Sequence, residues 1–269
     1  MTFRILLPAE FQDTHRQMAL EWVARGHRFN QREWRTALRA FDLLKEAAVV
    51  TVEGVLPFSA VYFRYIEEPY ADRLIRSLLN AEDVTQAGIA GWAEVAGRIP
   101  GVLHEAGLLP QQQPAARLLV AYCLYWWYAF AYGYMFETEV LRDLEQSGVE
   151  FSAHNLVNRD ERLSRHDLEV LGFRGDIKRS LAFLQTVRGR RLPLSFYIVR
   201  LTLAGRRRTL VVMMRQPMWD TIDGDTILTT LEGLAKTLPA AARIRVGNIE
   251  AIVADYELWK RLVRRRQEN

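Results

Sequence analysis

Two carboxylates and a lysine stand close together in the segment Arg165-His-Asp-Leu-Glu-Val-Leu-Gly-Phe-Arg-Gly-Asp-Ile-Lys178. Read with a period of two, Leu168 and Val170 fall on one side of a strand and Asp167 and Glu169 on the other. Gly172 and Gly175 bracket a tight reversal, and a second strand is expected to start at Asp176. Asp176 and Lys178 are two apart and share a face of that strand. Folding the hairpin near residues 172–174 brings Asp167 opposite the start of the second strand. Two carboxylates and an ammonium then converge on one patch. Hard oxygen donors suit a divalent cation, which lowers the pKa of a bound water and neutralises charge on a phosphate under attack.

The lysine is noticeable because lysines are scarce. They occur only at positions 45, 178, 236 and 260, and every other basic residue among the 36 is arginine. A solvated cation in this chain is usually an arginine, whereas a site that orients water and meets developing charge wants a compact ammonium.

The elements that must hold these residues can be read from the flanking periodicity. Phe136, Val140, Leu141 and Leu144 form an apolar helical stripe with Glu137 inside it, while Glu139 points away. A carboxylate on a core-facing stripe is costly unless compensated, so Glu137 is expected to meet either an arginine or a metal. Gly148 ends the helix, 149–154 is expected as a first strand, and 155–164 as a polar loop. Residues 194–203 and 209–214 read as a further hairpin turned at Ala204-Gly205. A helix over 225–238, strands at 243–246 and 249–254 and a terminal helix over 256–266 follow.

An acid on one strand and acid-any-Lys on the next, here Asp167 and Asp176-Ile177-Lys178, resembles the pattern of the restriction-endonuclease-like, or PD-(D/E)XK, nuclease superfamily. Its core order of helix, three strands, helix and strand is met by residues 134–147, 149–154, 165–171, 176–184, 225–238 and 243–246, with an inserted hairpin. The resemblance covers roughly residues 134 to 246 and nothing before them. Two positions depart from it: His166 precedes the first acid where the family has proline, and the second acid is Asp rather than the commoner Glu. The resemblance implies a central mixed sheet flanked by helices and a Mg²⁺ (or Mn²⁺)-dependent endonuclease acting on DNA, of a restriction or defence type. Asp167, Asp176 and the Ile177 carbonyl would be metal ligands, Glu137 a further ligand directly or through water, and Lys178 the group that steadies the water or the phosphate.

Arg174, Arg179, Arg206, Arg207 and Arg208 are the expected contacts to a sugar-phosphate backbone, with plain solvation as the competing reading. His154, at the end of the first strand, either reaches the site or a phosphate, or is a surface residue beside the loop. His166 falls on the strand face opposite Asp167 and is read as structural.

Charge placement fits a polyanionic partner. Residues 1–116 carry 12 basic and 14 acidic side chains, residues 117–269 carry 24 and 18. Between Arg179 and Trp219 there are nine arginines and no acid, which either favours nucleic acid through counterion release or is a solvated hairpin in an arginine-rich chain. The 269 residues, 49% hydrophobic and 25% charged, are globular in composition. The single cysteine, Cys123, excludes an internal disulfide and points to a reducing, cytoplasmic setting; no signal peptide is visible.

The fold class expected is α+β: a mainly helical domain over 1–115, then an α/β domain over 116–269, with Gln111-Gln-Gln-Pro114 as the linker. In the first domain, a short strand lies in 1–7, helices in 10–25, 30–46 (Asn30 and Glu33 forming a capping box), 69–79 and 80–95, a strand in 49–55 and a short piece at 101–109. His15, His27 and His104 are scattered and receive no role. Leu118–Phe136 carries no charge and is dense in aromatic residues. Its length would allow a membrane span; so much Tyr and Trp at its centre favours a helix packed on all sides, or a face that binds a second copy, a protein partner or unpaired bases. Asp220–Asp225 resembles part of a calcium loop but lacks the bidentate Glu, and no G-x-S-x-G, HExxH or Cys pair is present. The alternative to an endonuclease is a non-catalytic nucleic-acid-binding or assembly protein on the same scaffold.

Overall fold

A computed structural model describes residues 4–25, 29, 31–52, 54–109, 115–162, 164–179, 194–203, 206–214, 241–246 and 249–269. The linker at 111–114, the cap residue Asn30, the Asp220–Asp225 segment and the helix over 225–238 lie outside these. The chain divides into two compact units, Met1–Tyr134 and Met135–Asn269. The division falls inside a long helix, later in the chain than the boundary at 115 expected from the polar linker.

The first unit is helical with one small sheet. Strands β1 (Arg4–Leu6), β2 (Ala48–Thr51) and β3 (Gly54–Pro57) form an antiparallel sheet in that order. Residues 49–55, expected as one strand, are thus a hairpin, reversed at the junction where Gly54 takes φ 132°. Around it lie α1 (Asp13–Arg25), α2 (Gln31–Leu44), α3 (Phe58–Tyr62), a π-helical turn (Phe63–Glu67), α4 (Glu68–Asn80) and α5 (Val84–Glu105). The separate piece expected at 101–109 is mostly the end of α5, which runs through Pro100.

Helix α6 (Ala116–Gln146) contains the aromatic run. No residue from 118 to 136 is exposed. Trp22 sets its ring edge-on to Phe41 and Tyr125, Phe41 stacks on Tyr125 at 4.0 Å, and Trp127 donates its indole N–H to the Trp92 carbonyl at 3.2 Å. The run is therefore a packed helix, its rings set edge-on or stacked against other aromatic rings. Among the described residues no helix is long and apolar enough to cross a membrane.

The second unit is built on a seven-stranded mixed sheet in the order β4-β5-β6-β7-β8-β10-β9. The strands are β4 (Ser152–Ala153), β5 (Leu168–Val170), β6 (Phe173–Lys178), β7 (Phe196–Leu203), β8 (Arg206–Met214), β9 (Ala241–Val246) and β10 (Ile249–Asp255). All neighbours are antiparallel except β6 and β7. Helix α6 ends in a Schellman arrangement: Gly148 N–H donates to Glu145 O and Val149 N–H to Leu144 O, with Gly148 at φ 69°. The loop after β4 contains a short helix, α7 (Arg159–Arg162), and α8 (Tyr256–Gln267) closes the chain.

Strand alternation sorts the faces. Leu168, Val170, Ile177, Phe196, Ile198, Val211 and Ala254 form one core with Phe136, Val140 and Leu144 of α6 and Trp259 and Val263 of α8. By register, Asp176, Lys178, Tyr197, Leu210 and Arg208 belong to the opposite face. The strand expected to complete the core order, 243–246, sits at the far edge of the sheet as β9, beyond β10.

Candidate metal centre

The hairpin that carries the acids is tighter than the glycine spacing indicated. Val170 pairs with Phe173, leaving only Leu171 and Gly172 in the turn, at φ 53° and 76°. Two successive positive φ values are the signature of a type I′ reversal. The second strand therefore starts at Phe173 rather than Asp176, and Gly175 lies within it. Glycine is needed there because a Cβ at that position would run into the Phe196 ring. The strand is described to Lys178, and residues 180–184 of the expected strand lie outside the described residues.

Asp167 sits one residue before β5, where the two strands part. Its N–H still donates to Gly175 O at 3.0 Å, and its own carbonyl accepts the His154 N–H at 3.1 Å. Beyond that pair the ladder is replaced by a side chain: Asp167 Oδ2 accepts the Ile177 N–H at 2.7 Å. One carboxylate thus both continues the sheet and is held by it, in the notch between β5 and β6.

His154 follows β4 and projects into the same notch. Its Nε2 lies 2.5 Å from Glu137 Oε1, with the His154 and Glu137 side chains 6% and 9% exposed. Its Nδ1 lies 3.2 Å from Ser164 Oγ, and that hydroxyl donates to the His166 carbonyl at 2.5 Å. One ligand atom from each of Glu137, His154 and Asp167 lies within 4.8 Å of the other two. That spacing fits donors sharing one cation at 2.0–2.6 Å.

Asp176 and Lys178 complete the patch. Lys178 Nζ lies 2.6 Å from Asp176 Oδ1. That ammonium is a close donor to a carboxylate oxygen that is otherwise buried. Burial pushes the Asp176 carboxyl up, and the neighbouring Asp167 carboxylate pushes the same way, against the pull of Lys178. The Lys178 ammonium is held above its usual value because Asp176 and Asp167, and then Glu137, outweigh its desolvation. For His154, burial acts to lower the pKa, but the hydrogen bond to Glu137 and the charges of Glu137, Asp167 and Asp176 outweigh it and raise it. Three acids thus face one ammonium and one imidazole. A divalent cation fits that deficit.

The expected residues Glu137, Asp167, Asp176 and Lys178 are therefore brought together. Glu137 meets His154, not an arginine; Glu139, pointing elsewhere, takes Arg200 at 2.6 Å, whose guanidinium also lies over the Phe136 ring. The sequence left His154 between two readings, and the structure puts it among the site residues. Ser164 carried no signal, being one polar residue in a polar loop. His166 enters only through its carbonyl.

The arginines are more dispersed. Arg174, on the face of Asp176, is exposed and 3.7 Å from Glu169. Arg179 follows Lys178 directly and is half-buried. Arg208 is 3.5 Å from Asp255 and stands opposite Leu201, two residues beyond Val199, the partner of Lys178. Arg207 is exposed on the other face. Arg206 belongs to β8 by its backbone, and its side chain lies outside the described residues.

Compared with known proteins, the chain matches no family model, no curated protein and no solved structure.

Proposed function

We propose that the second unit is a metal-dependent phosphodiesterase that cuts nucleic acid, with DNA as the first substrate to try and Mg²⁺ or Mn²⁺ as the cation. The observation that carries the reading is the convergence of Glu137, His154 and Asp167 within 4.8 Å beside the Asp176–Lys178 pair. Structural ion pairing alone would match acids to arginines, whereas here three acids from a helix and a β-ribbon crowd one notch.

A divalent cation held by Glu137, His154, Asp167 and Asp176 would supply Lewis acidity toward a phosphate oxygen and lower the pKa of a bound water. The chain's own part is positional. Ser164 fixes the His154 ring, Ile177 N–H fixes the Asp167 carboxylate, and the core behind β6 fixes the span from Asp176 to Lys178. Lys178, its side chain 35% exposed, is an ammonium that can reach both a water and a phosphate oxygen. Arg174 and Arg208 lie on the same sheet face and offer charge to the flanking backbone.

The test is cleavage of supercoiled plasmid, single-stranded DNA and RNA with Mg²⁺ or Mn²⁺. Cutting is expected from the unaltered protein and not from Asp176→Asn or Asp167→Asn. Binding of DNA without cutting under any of these metals would instead favour the non-catalytic nucleic-acid-binding alternative.

A further inference from the structure

We infer that the tip of the β5–β6 ribbon, Leu171-Gly172-Phe173-Arg174, is a stacking element that holds an unpaired base beside the phosphate being cut. This rests on the nuclease reading above.

The tip is made of residues that the fold itself does not ask for. A two-residue I′ turn favours Asn-Gly or Asp-Gly, because the first position needs a positive φ. This chain has leucine there, at φ 53° and 43% exposed. Backbone strain of that kind collects where a side chain has a role in function. Phe173, the next side chain but one, is 59% exposed and is among the most exposed large apolar residues in the second unit. It neighbours Val170, which is buried, yet its ring extends past the covered core. Two large apolar groups thus share one solvent-facing reversal.

The position of the tip identifies the occupant. Phe173 is three residues before Asp176 on the same strand, about 10 Å along it or about three stacked base steps, and by register it lies on the other face of the ribbon, with Val170. Arg174 shares the face of Asp176 and Lys178, so the ribbon offers a cation on the side where a scissile phosphate would lie. Its tie to Glu169 is 3.7 Å long between side chains 65% and 38% exposed, and a phosphate can replace such a contact. A single strand passing over the tip would meet the cation of one face with its backbone and the ring of the other with a base, the two kinds of contact that single strands use. A paired base would not offer its face to a ring at the tip, so the substrate class is single-stranded, frayed or nicked nucleic acid.

The experiment compares the full chain with Leu171→Asn and Phe173→Ser. Leu171→Asn relieves the turn and is expected to melt no lower than the unaltered protein, so a loss of function in it is not a loss of fold. Both variants are expected to cut single-stranded oligonucleotides about 5- to 150-fold less well, the range for one stacked base, with Mn²⁺ affinity unchanged. In a Lys178→Ala background, 2-aminopurine placed one to three nucleotides from the cut is expected to be quenched, and the quench lost with Phe173→Ser. Cutting and quench unchanged in both variants would overturn the inference. So would loss of self-association in Phe173→Ser with cutting intact, which would give the tip to a second copy. Quench by the Lys178→Ala protein without any cutting by the unaltered chain would instead remove the nuclease reading and leave the stacking element standing.

Discussion

Ser164 decides which nitrogen of His154 carries the proton. The serine has one hydroxyl hydrogen, and it is directed to the His166 carbonyl at 2.5 Å. Toward His154 Nδ1, 3.2 Å away, Ser164 Oγ can only accept, so Nδ1 is protonated. Nε2 then has two states. In imidazolium it donates to Glu137; in neutral imidazole it turns a lone pair toward the space shared with Glu137 and Asp167. The second state is a metal ligand whose ring is already oriented from behind by the serine.

The first prediction concerns pH. His154 has its folded pKa raised, so the stabilisation from its charged pair is fully present below about 6.5 and is lost as pH rises through the raised value. Asp176 is raised too, so the cost of keeping it ionised in the fold is absent in acid and grows as pH climbs above the ordinary carboxylate range. Both act in one direction. In EDTA, the melting temperature is expected to fall from about pH 6 to about pH 8, and Mn²⁺ is expected to restore progressively more of it over the same interval, because the ligands must lose protons to bind. A profile that is flat or rises in EDTA would count against the arrangement.

The second concerns the choice of cation. A ligand set containing one imidazole favours Mn²⁺ over Mg²⁺ more than carboxylates alone do. Titration calorimetry is expected to show tighter Mn²⁺ binding, with the preference narrowed by His154→Ala. Ser164→Ala, which removes only the ring's outer support, is expected to weaken Mn²⁺ by about 10- to 100-fold. Equal Mg²⁺ and Mn²⁺ affinities that ignore both substitutions would place His154 outside the coordination sphere.

The third separates binding from chemistry at the ribbon. Lys178→Met is expected to retain Mn²⁺ binding and lose cleavage by about 10²- to 10³-fold. Asp176→Asn is expected to lose both. Single-turnover cleavage beside a metal titration reads the two effects apart; a Lys178→Met protein that cuts normally would remove the lysine from the mechanism.

The fourth is structural. Gly175→Ala drives a methyl group into the Phe196 ring, which also lies against Trp259 at 5.6 Å between centroids. Urea denaturation is expected to show about 1–3 kcal/mol lost. Phe196→Leu should recover part of that in the double variant, since the two sites share one contact. A Gly175→Ala protein as stable as the original would mean that the ring moves aside without cost.

The hairpin was legible in the sequence because side-chain alternation survives whatever the turn does. Leu168 and Val170 went inward, and Asp176 and Lys178 shared a face. The turn was misplaced because two glycines stood near it and only one was needed for backbone freedom; Gly175 was required by the bulk of Phe196, twenty-one residues on. Glu137 was readable as a carboxylate on an apolar helical stripe. His154 was ambiguous because a two-residue strand leaves almost no periodic signal, and its orientation depends on bonds to Asp167 and Ser164 that no local spacing encodes. The strand expected over 49–55 was split for a related reason: a β-branched run looks continuous whether or not one glycine reverses it.

The two-residue reversal at Leu171-Gly172 also bears on the order of assembly. A ribbon closed by so short a loop forms in about 1–10 μs, whereas β6 cannot join β7 in parallel until a much longer crossover has closed. Asp167 and Asp176 therefore meet early, while water still surrounds them and little else is in place. Lys178 travels on the same ribbon, so the nascent hairpin carries its own counter-charge and need not wait for a distant strand to quiet the repulsion between its acids.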